Sequence, residues 1–314
     1  MSDLRYRVLF CALAFTAPLF AQDAQDSSPN GFVFGAEMQG SYSSIGTITK
    51  LDASAGYVFN RHFMTDAGVP YYFVFPSAST TASTGFESVE GIGNAYAQIA
   101  FMFPNPAVNY ASTVTGTGPS GDRNKGLSTG HATVDWNNHV DRNFGRWTPF
   151  GEAGIANTVS DTTFFVRPFT TYGFVAHGQG GLRYRFARWL QAGAAGYVVE
   201  PYGRQTIVSR VVTEESLTSG AIASPVTLPS TPVTPPLGTL LGGLLNPPTT
   251  PAAVFETSTV TSGTAALARD SGVSTWLQLG KTPGLSLQVG FTRSRNYDLN
   301  TLSFGVGYTL RAAR

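Results

Sequence analysis

Leu302-Ser303-Phe304-Gly305-Val306-Gly307-Tyr308-Thr309-Leu310 is apolar at every second position, with only Ser, Gly and Thr between. Successive side chains of an extended strand point to opposite faces, so this stretch has one greasy face and one small, polar face. The same alternation runs through Leu285, Leu287, Val289 and Phe291 against Ser286, Gln288, Gly290 and Thr292. Val273, Thr275, Leu277 and Leu279 alternate with Ser274, Trp276 and Gln278. Upstream, Leu51, Ala53, Ala55, Tyr57 and Phe59 alternate with Lys50, Asp52, Ser54 and Gly56, and Ala95, Ala97, Ile99, Phe101 and Phe103 with Asn94, Tyr96, Gln98 and Ala100. Tyr172, Phe174, Ala176, Leu182, Tyr184 and Phe186 alternate with His177, Gln179, Arg183 and Arg185. A helix needs a period near 3.6, and no comparable stripe is present.

A β-sandwich alternates too, so composition has to separate the two folds. Charged residues make up 12% of the 314, about half the share usual in soluble proteins, while mean hydropathy is near zero. Apolar and polar residues are therefore interleaved rather than segregated. The polar partners are often large and charged at mid-strand, which suits a wet lumen better than a sandwich exterior. Aromatics gather near strand ends (Tyr57, Phe59, Phe63, Phe101, Phe103, Phe144, Trp147, Phe186, Trp189, Tyr308), as in the girdles of membrane barrels. The expected fold is all-β: an antiparallel up-and-down transmembrane barrel that faces lipid and contains no spanning helix. A net charge of +1 gives no reason to expect nucleic acid as a partner.

The N-terminus has the layout of a secretion signal over 1–21. Arg5 and Arg7 precede an apolar run from Val8 to Phe20, and Ala21 is the expected cleavage position, although Leu19 fits poorly three residues before such a cut. The run is too short to span a bilayer as a helix; a short N-terminal anchor is the rival reading. Cys11, the only cysteine, lies inside this run, so the mature chain is expected to have no disulfide or thiol chemistry. Residues 22–30 read as a short periplasmic segment and 31–314 as the barrel.

Twelve strands are expected at about 31–43, 47–60, 62–75, 92–103, 107–117, 130–144, 146–158, 170–187, 189–208, 255–280, 284–295 and 300–312. Their connectors alternate in length. Asn60-Arg61, Pro104-Asn105-Pro106, Gly145, Ala187-Arg188 and Lys281-Thr282-Pro283 are tight, whereas 76–91, 118–129, 159–169 and 209–254 are long. Short turns on one rim and long loops on the other are the habit of outer-membrane barrels, with the short rim and both termini periplasmic. The 209–254 loop is rich in Pro, Thr and Ser around an apolar island, Leu237 to Leu245. It reads either as a mobile external loop or as a segment folding into the barrel mouth.

Several segments resemble the phenol-degradation (MetA-pathway) family of outer-membrane barrels. These are Ala55-Gly56-Tyr57-Val58-Phe59-Asn60-Arg61 leading to Gly68-Val69-Pro70-Tyr71-Tyr72-Phe73, Gly91-Ile92-Gly93-Asn94, Pro119-Ser120-Gly121-Asp122 through Lys125-Gly126-Leu127-Ser128-Thr129-Gly130, and Phe144-Gly145-Arg146. The resemblance covers roughly 50–160. Asn94 stands where that family usually has Asp, and the Pro-rich loop is unusual for it. It implies a transporter-like role in the passage of small solutes, with hydrophobic or aromatic compounds as the expected class, in the outer membrane of a Gram-negative bacterium. Outer-membrane lipids and the barrel-assembly machinery are the implied partners.

By strand parity the lumen-facing candidates are Lys50, Asp52, Asp135, His139, Asp141, Glu152, His177, Gln179, Arg183, Arg185 and Gln288. Mixed charges inside a pore order water and set ion preference; alternatively they pair with one another and fill a narrow lumen. His131, Asp135 and His139 share a strand face, but residues four apart on a strand are about 13 Å apart, too far for one metal ion. No metal or other cofactor is expected. His62 and His177 have no carboxylate signature nearby in sequence, and no nucleophile motif singles out a serine, so an enzyme is not expected. An outer-membrane lipid hydrolase and a structural or surface-interaction barrel stay as alternatives to the channel.

Overall fold

The computed structural model describes residues 30–78, 88–159, 161–162, 165–211, 260–280 and 284–313. The signal expected at 1–21, the 22–29 segment and most of the Pro-rich loop lie outside them. Among the described residues there are sixteen strands: β1 Gly31–Ser43, β2 Gly46–Asn60, β3 Phe63–Pro76, β4 Val89–Ile92, β5 Tyr96–Phe103, β6 Asn109–Thr117, β7 Thr133–Asp141, β8 Trp147–Ala156, β9 Phe169–Tyr172, β10 Val175–Ala187, β11 Leu190–Pro201, β12 Gln205–Ser209, β13 Val260–Gly263, β14 Asp270–Gly280, β15 Gly284–Ser294 and β16 Leu299–Ala313.

Twelve of these form a closed antiparallel barrel in the order β1-β2-β3-β5-β6-β7-β8-β10-β11-β14-β15-β16, and β16 pairs back onto β1 from Gly31↔Ala313 to Tyr42↔Leu302. Closure leaves no unpaired edge, which hydrocarbon surroundings require. The alternation read from the sequence is the alternation of burial. Phe32, Leu51, Val273, Leu287, Val289, Leu302 and Leu310 are exposed outward, while Glu37, Lys50, Asp52, Gln278, Thr292 and Thr309 are buried inward. Polar atoms on the outer face find partners there: Trp136 Nε1 donates to Ser112 Oγ at 2.9 Å, and the Tyr110 hydroxyl donates to Asn138 Oδ1 at 2.6 Å.

Aromatic rings collect at the rim that carries the short turns. Phe32, Tyr57, Phe59 and Phe63 form one chain of ring contacts, Phe101, Phe103 and Tyr110 a second, and Trp147, Tyr184 and Phe186 a third. A second group lies toward the other rim, where Phe174 meets Tyr202 and Tyr71 meets Phe73.

The structure corrects five of the expected strands. The segments expected at 170–187, 189–208 and 255–280 each break in two. Their outer pieces, β9, β12 and β13, leave the barrel and make a separate three-stranded sheet in the order β13-β12-β9. Gly173 (φ +148°) and Gly203 (φ +70°) turn the chain at two of the breaks, and a 3₁₀ turn at Ala265–Ala268 makes the third. Hydrophobic alternation continues through these turns, so parity alone does not reveal them. The strand expected at 92–103 likewise begins as a separate piece, β4, with Gly93 lying against the Tyr72 ring at the break. The strand expected at 130–144 is only Thr133–Asp141, which leaves His131 in a loop stacked on Tyr172.

Candidate functional site: a capped lumen

The loop between β8 and β10 enters the barrel. β8 stands six positions from β1 around the twelve-strand ring, so the two are on opposite walls. Yet the Val166 amide donates to Ser41 Oγ on β1 at 2.9 Å. Asp161 of the same loop accepts from the Tyr72 hydroxyl of β3 at 2.8 Å and from Arg210 Nη1 at 2.8 Å. Arg167 pairs with Asp270 of β14 at 3.5 Å, and Asp270 also accepts from Tyr197 and Ser294. The loop therefore crosses the lumen and is tied to three parts of the wall.

The segment after β12 braces it from above. Arg210 donates to the Arg167 carbonyl at 2.8 Å and lies over the Tyr72 ring, 4.4 Å from its centroid. Burial by itself would raise the Asp161 carboxyl, but Arg210 and Lys50 outweigh it and hold it at about 2; Asp161 in turn raises Arg210 against the lowering effect of its burial.

Apolar packing completes the cap. Ile48, Tyr72, Val74, Leu127, Val166 and Val211 form one cluster, and Phe169, Ile207, Ala268, Tyr297 and Leu299 another. Leu127 belongs to the Lys125-Gly126-Leu127 segment quoted above. Gly126, at φ +69°, presses against the Ser209 carbonyl so closely that a side chain has no room. Ser120 Oγ donates to the Gly93 carbonyl and accepts from the Ala95 amide, and the Gly121 amide donates to Asn94 Oδ1. The motifs that carried the resemblance thus knit the loops of the mouth to one another.

Beneath the cap lies a cavity of about 400 Å³. One wall is a ladder of polar groups on β7, β8 and β10. His177 Nε2 lies 2.9 Å from Asp135 Oδ1. Glu152 accepts from Asn137 and, at 2.7 Å, from Gln179. His139 lies 3.6 Å from both Glu152 and Asp141, and Asp141 accepts from Arg183 at 2.7 Å and Asn109 at 2.8 Å. The lining continues on the adjoining strands β6, β5 and β3 with the apolar Ala111, Met102, Ala100 and Met64 beside Thr113, Thr115 and Gln98. Phe150 and Trp276 lie 6.1 Å apart at one side, folded flat over Gly181 and Gly193, where a Cβ would overlap the rings. Arg183 stacks over Phe150, 5.0 Å from its centroid.

Of the residues singled out by parity, Asp135, His139, Glu152, His177, Gln179 and Arg183 line this cavity, with Asp141 behind them. Lys50 and Asp52 are buried on the inner face of β2, where Asp52 accepts from the Tyr96 hydroxyl at 3.3 Å. Gln288 is half-buried on β15, and Arg185 is exposed near the short-turn rim. His177 has a carboxylate beside it in space, though none near it in sequence. Asp135 is 42 residues away in the chain and reaches it across β8, so no local sequence window could hold both. His62, by contrast, lies at the short-turn rim, with its ring against the Met102 carbonyl, Arg61 and Phe103. Among the described residues no three His, Cys, Asp or Glu side chains converge as a metal site. Sequence reasoning missed Tyr72, Asp161, Arg167, Arg210 and Asp270. It also passed over Phe150, which interrupts the polar parity of Thr148, Glu152 and Gly154 as Trp276 does that of Ser274 and Gln278, and these two aromatics were the available signal.

No family model matches the sequence, and no curated protein matches it. The resemblance to the phenol-degradation barrels therefore rests on the quoted motifs. Among solved structures, an outer membrane channel from Pseudomonas putida F1 aligns over 93% of this chain and 99% of its own at 10% identity and a TM-score of 0.49. The NanC porin aligns over 88% and 100% at 6% identity and 0.46, and the β domain of the Bordetella autotransporter BrkA over 91% and 100% at 9% and 0.38. These are likenesses of barrel architecture.

Proposed function

We propose that the chain is an outer-membrane channel for small solutes, exported through the signal at 1–21, with its passage narrowed by the loop between β8 and β10. The carrying observation is a polar-walled cavity inside a closed, lipid-faced barrel, beneath a loop tied to the far wall by side-chain contacts. The methionine and alanine face, with the Phe150 and Trp276 rings, supports solutes that carry an apolar body, in line with the hydrophobic or aromatic class implied by the motifs. Planar-bilayer recording of the refolded protein tests this: discrete, voltage-stable steps are expected. The tight cap favours one second reading, a structural or surface-interaction barrel, and a bilayer silent at all voltages and in the presence of aromatic solutes would decide for it.

A further inference from the structure

We infer that the solute taken by the cavity is a small organic cation, an ammonium group on an apolar body; this deepens the channel reading and names its class. The polar wall offers acceptors. Asp135 and Glu152 line the cavity, and their hydrogen-bond partners are amides and histidines rather than guanidinium or ammonium groups. The arginines nearby are drawn to other carboxylates: Arg183 to Asp141, Arg167 to Asp270 and Arg210 to Asp161.

One buried amide points the same way. Asn137 Oδ1, between Asp135 and Glu152 in the ladder, has no hydrogen-bond partner. A buried polar atom left unpaired is costly, so the space beside this acceptor suits a polar guest that donates to it. A guest that satisfies Asn137 Oδ1 and the two carboxylates must donate hydrogen bonds and carry positive charge. Beside the ladder, Met64, Ala100, Met102 and Ala111 add an apolar patch to the lining, which suits the body of such a cation better than a hydrated metal ion. Carboxylates with low-dielectric walls focus the field and concentrate cations at the site.

The test uses the refolded mature chain in detergent at pH 8.5, with three probes of one shape: 2-phenylethylammonium, 2-phenylethanol and phenylacetate. Calorimetric titration is expected to show the ammonium bound at least tenfold more tightly than the alcohol, with phenylacetate weakest. Glu152→Gln should abolish that preference, and Asp135→Asn should reduce it, each variant first shown to be folded by its heat-modifiable mobility. Met64→Ala should weaken the ammonium and the alcohol equally. Alcohol or carboxylate binding as tight as ammonium binding, or an undiminished preference in both acid variants, overturns the assignment. Bilayer recording separates the two readings: a silent bilayer with the preference intact removes the channel and leaves the cation site, whereas steps without the preference do the reverse.

Discussion

Asp161 is the point on which the cap is most exposed to a single change. Its carboxylate faces Arg210, with side-chain exposures of 8% and 7%, and accepts from Tyr72 and from the Arg167 amide. Asp161→Asn keeps the shape and removes the charge, which strands the Arg210 guanidinium in the interior. Breaking a buried ion pair from one side costs about 3–5 kcal/mol. The amide oxygen can still accept from the Arg167 amide while the new NH2 group donates to the Tyr72 oxygen, so the lower end of that range applies. At about 3 kcal/mol the ratio of docked to undocked loop falls by roughly 10². In single-channel records the variant should visit a higher conductance level for about a hundredfold greater share of open time than wild type.

The double variant Asp161→Asn/Arg210→Gln supplies the control. With both charges gone nothing is stranded, so its records should lie closer to wild type than those of Asp161→Asn alone. Wild-type conductance and dwell times in Asp161→Asn, or a double variant more open than the single, would refute the idea that this pair holds the loop across the lumen.

Acid should release the same contact. Because Asp161 is held at about 2 against an aspartate's ordinary 3.8, its contribution, about 2 kcal/mol, is complete above pH 3.8 and lost as pH falls through about 2. Conductance should therefore show no step attributable to this pair between pH 8 and 5 and should rise only below about pH 4. Facing is tested by neighbours on β15: Val289→Arg, on the outer face at 56% exposure, should cost roughly 2–4 kcal/mol in urea unfolding from lipid vesicles, and Gln288→Arg much less; equal costs would contradict the barrel's inside and outside. Gly193→Ala should push the Trp276 ring into the lumen, costing about 1–3 kcal/mol by overpacking and lowering conductance, with a red shift of tryptophan emission as the check.

Which parts of this molecule could be read from its sequence follows from how each part is encoded. The wall is encoded by parity. Leu302 and Ser303 differ in face because they are neighbours on a strand, and lipid on one side with water on the other forces that difference into composition. The lumen-facing candidates came from this rule, and six of them meet in one cavity. Pairing between them is not encoded locally: Asp135 meets His177 and Asp141 meets Arg183 because β7, β8 and β10 lie side by side in register, a fact of topology rather than spacing. The cap is harder still. Asp161, Arg167 and Arg210 sit in connectors where no period sorts inside from outside, and each finds its partner on a distant strand. A charged residue in a long outer loop reads as solvated by default, and only the closed ring of strands, with the far wall one barrel diameter away, turns these three into inward-facing groups. The sequence is therefore informative about the pore's lining and nearly silent about what restricts it, and loop variants rather than wall variants are the ones expected to change conductance most.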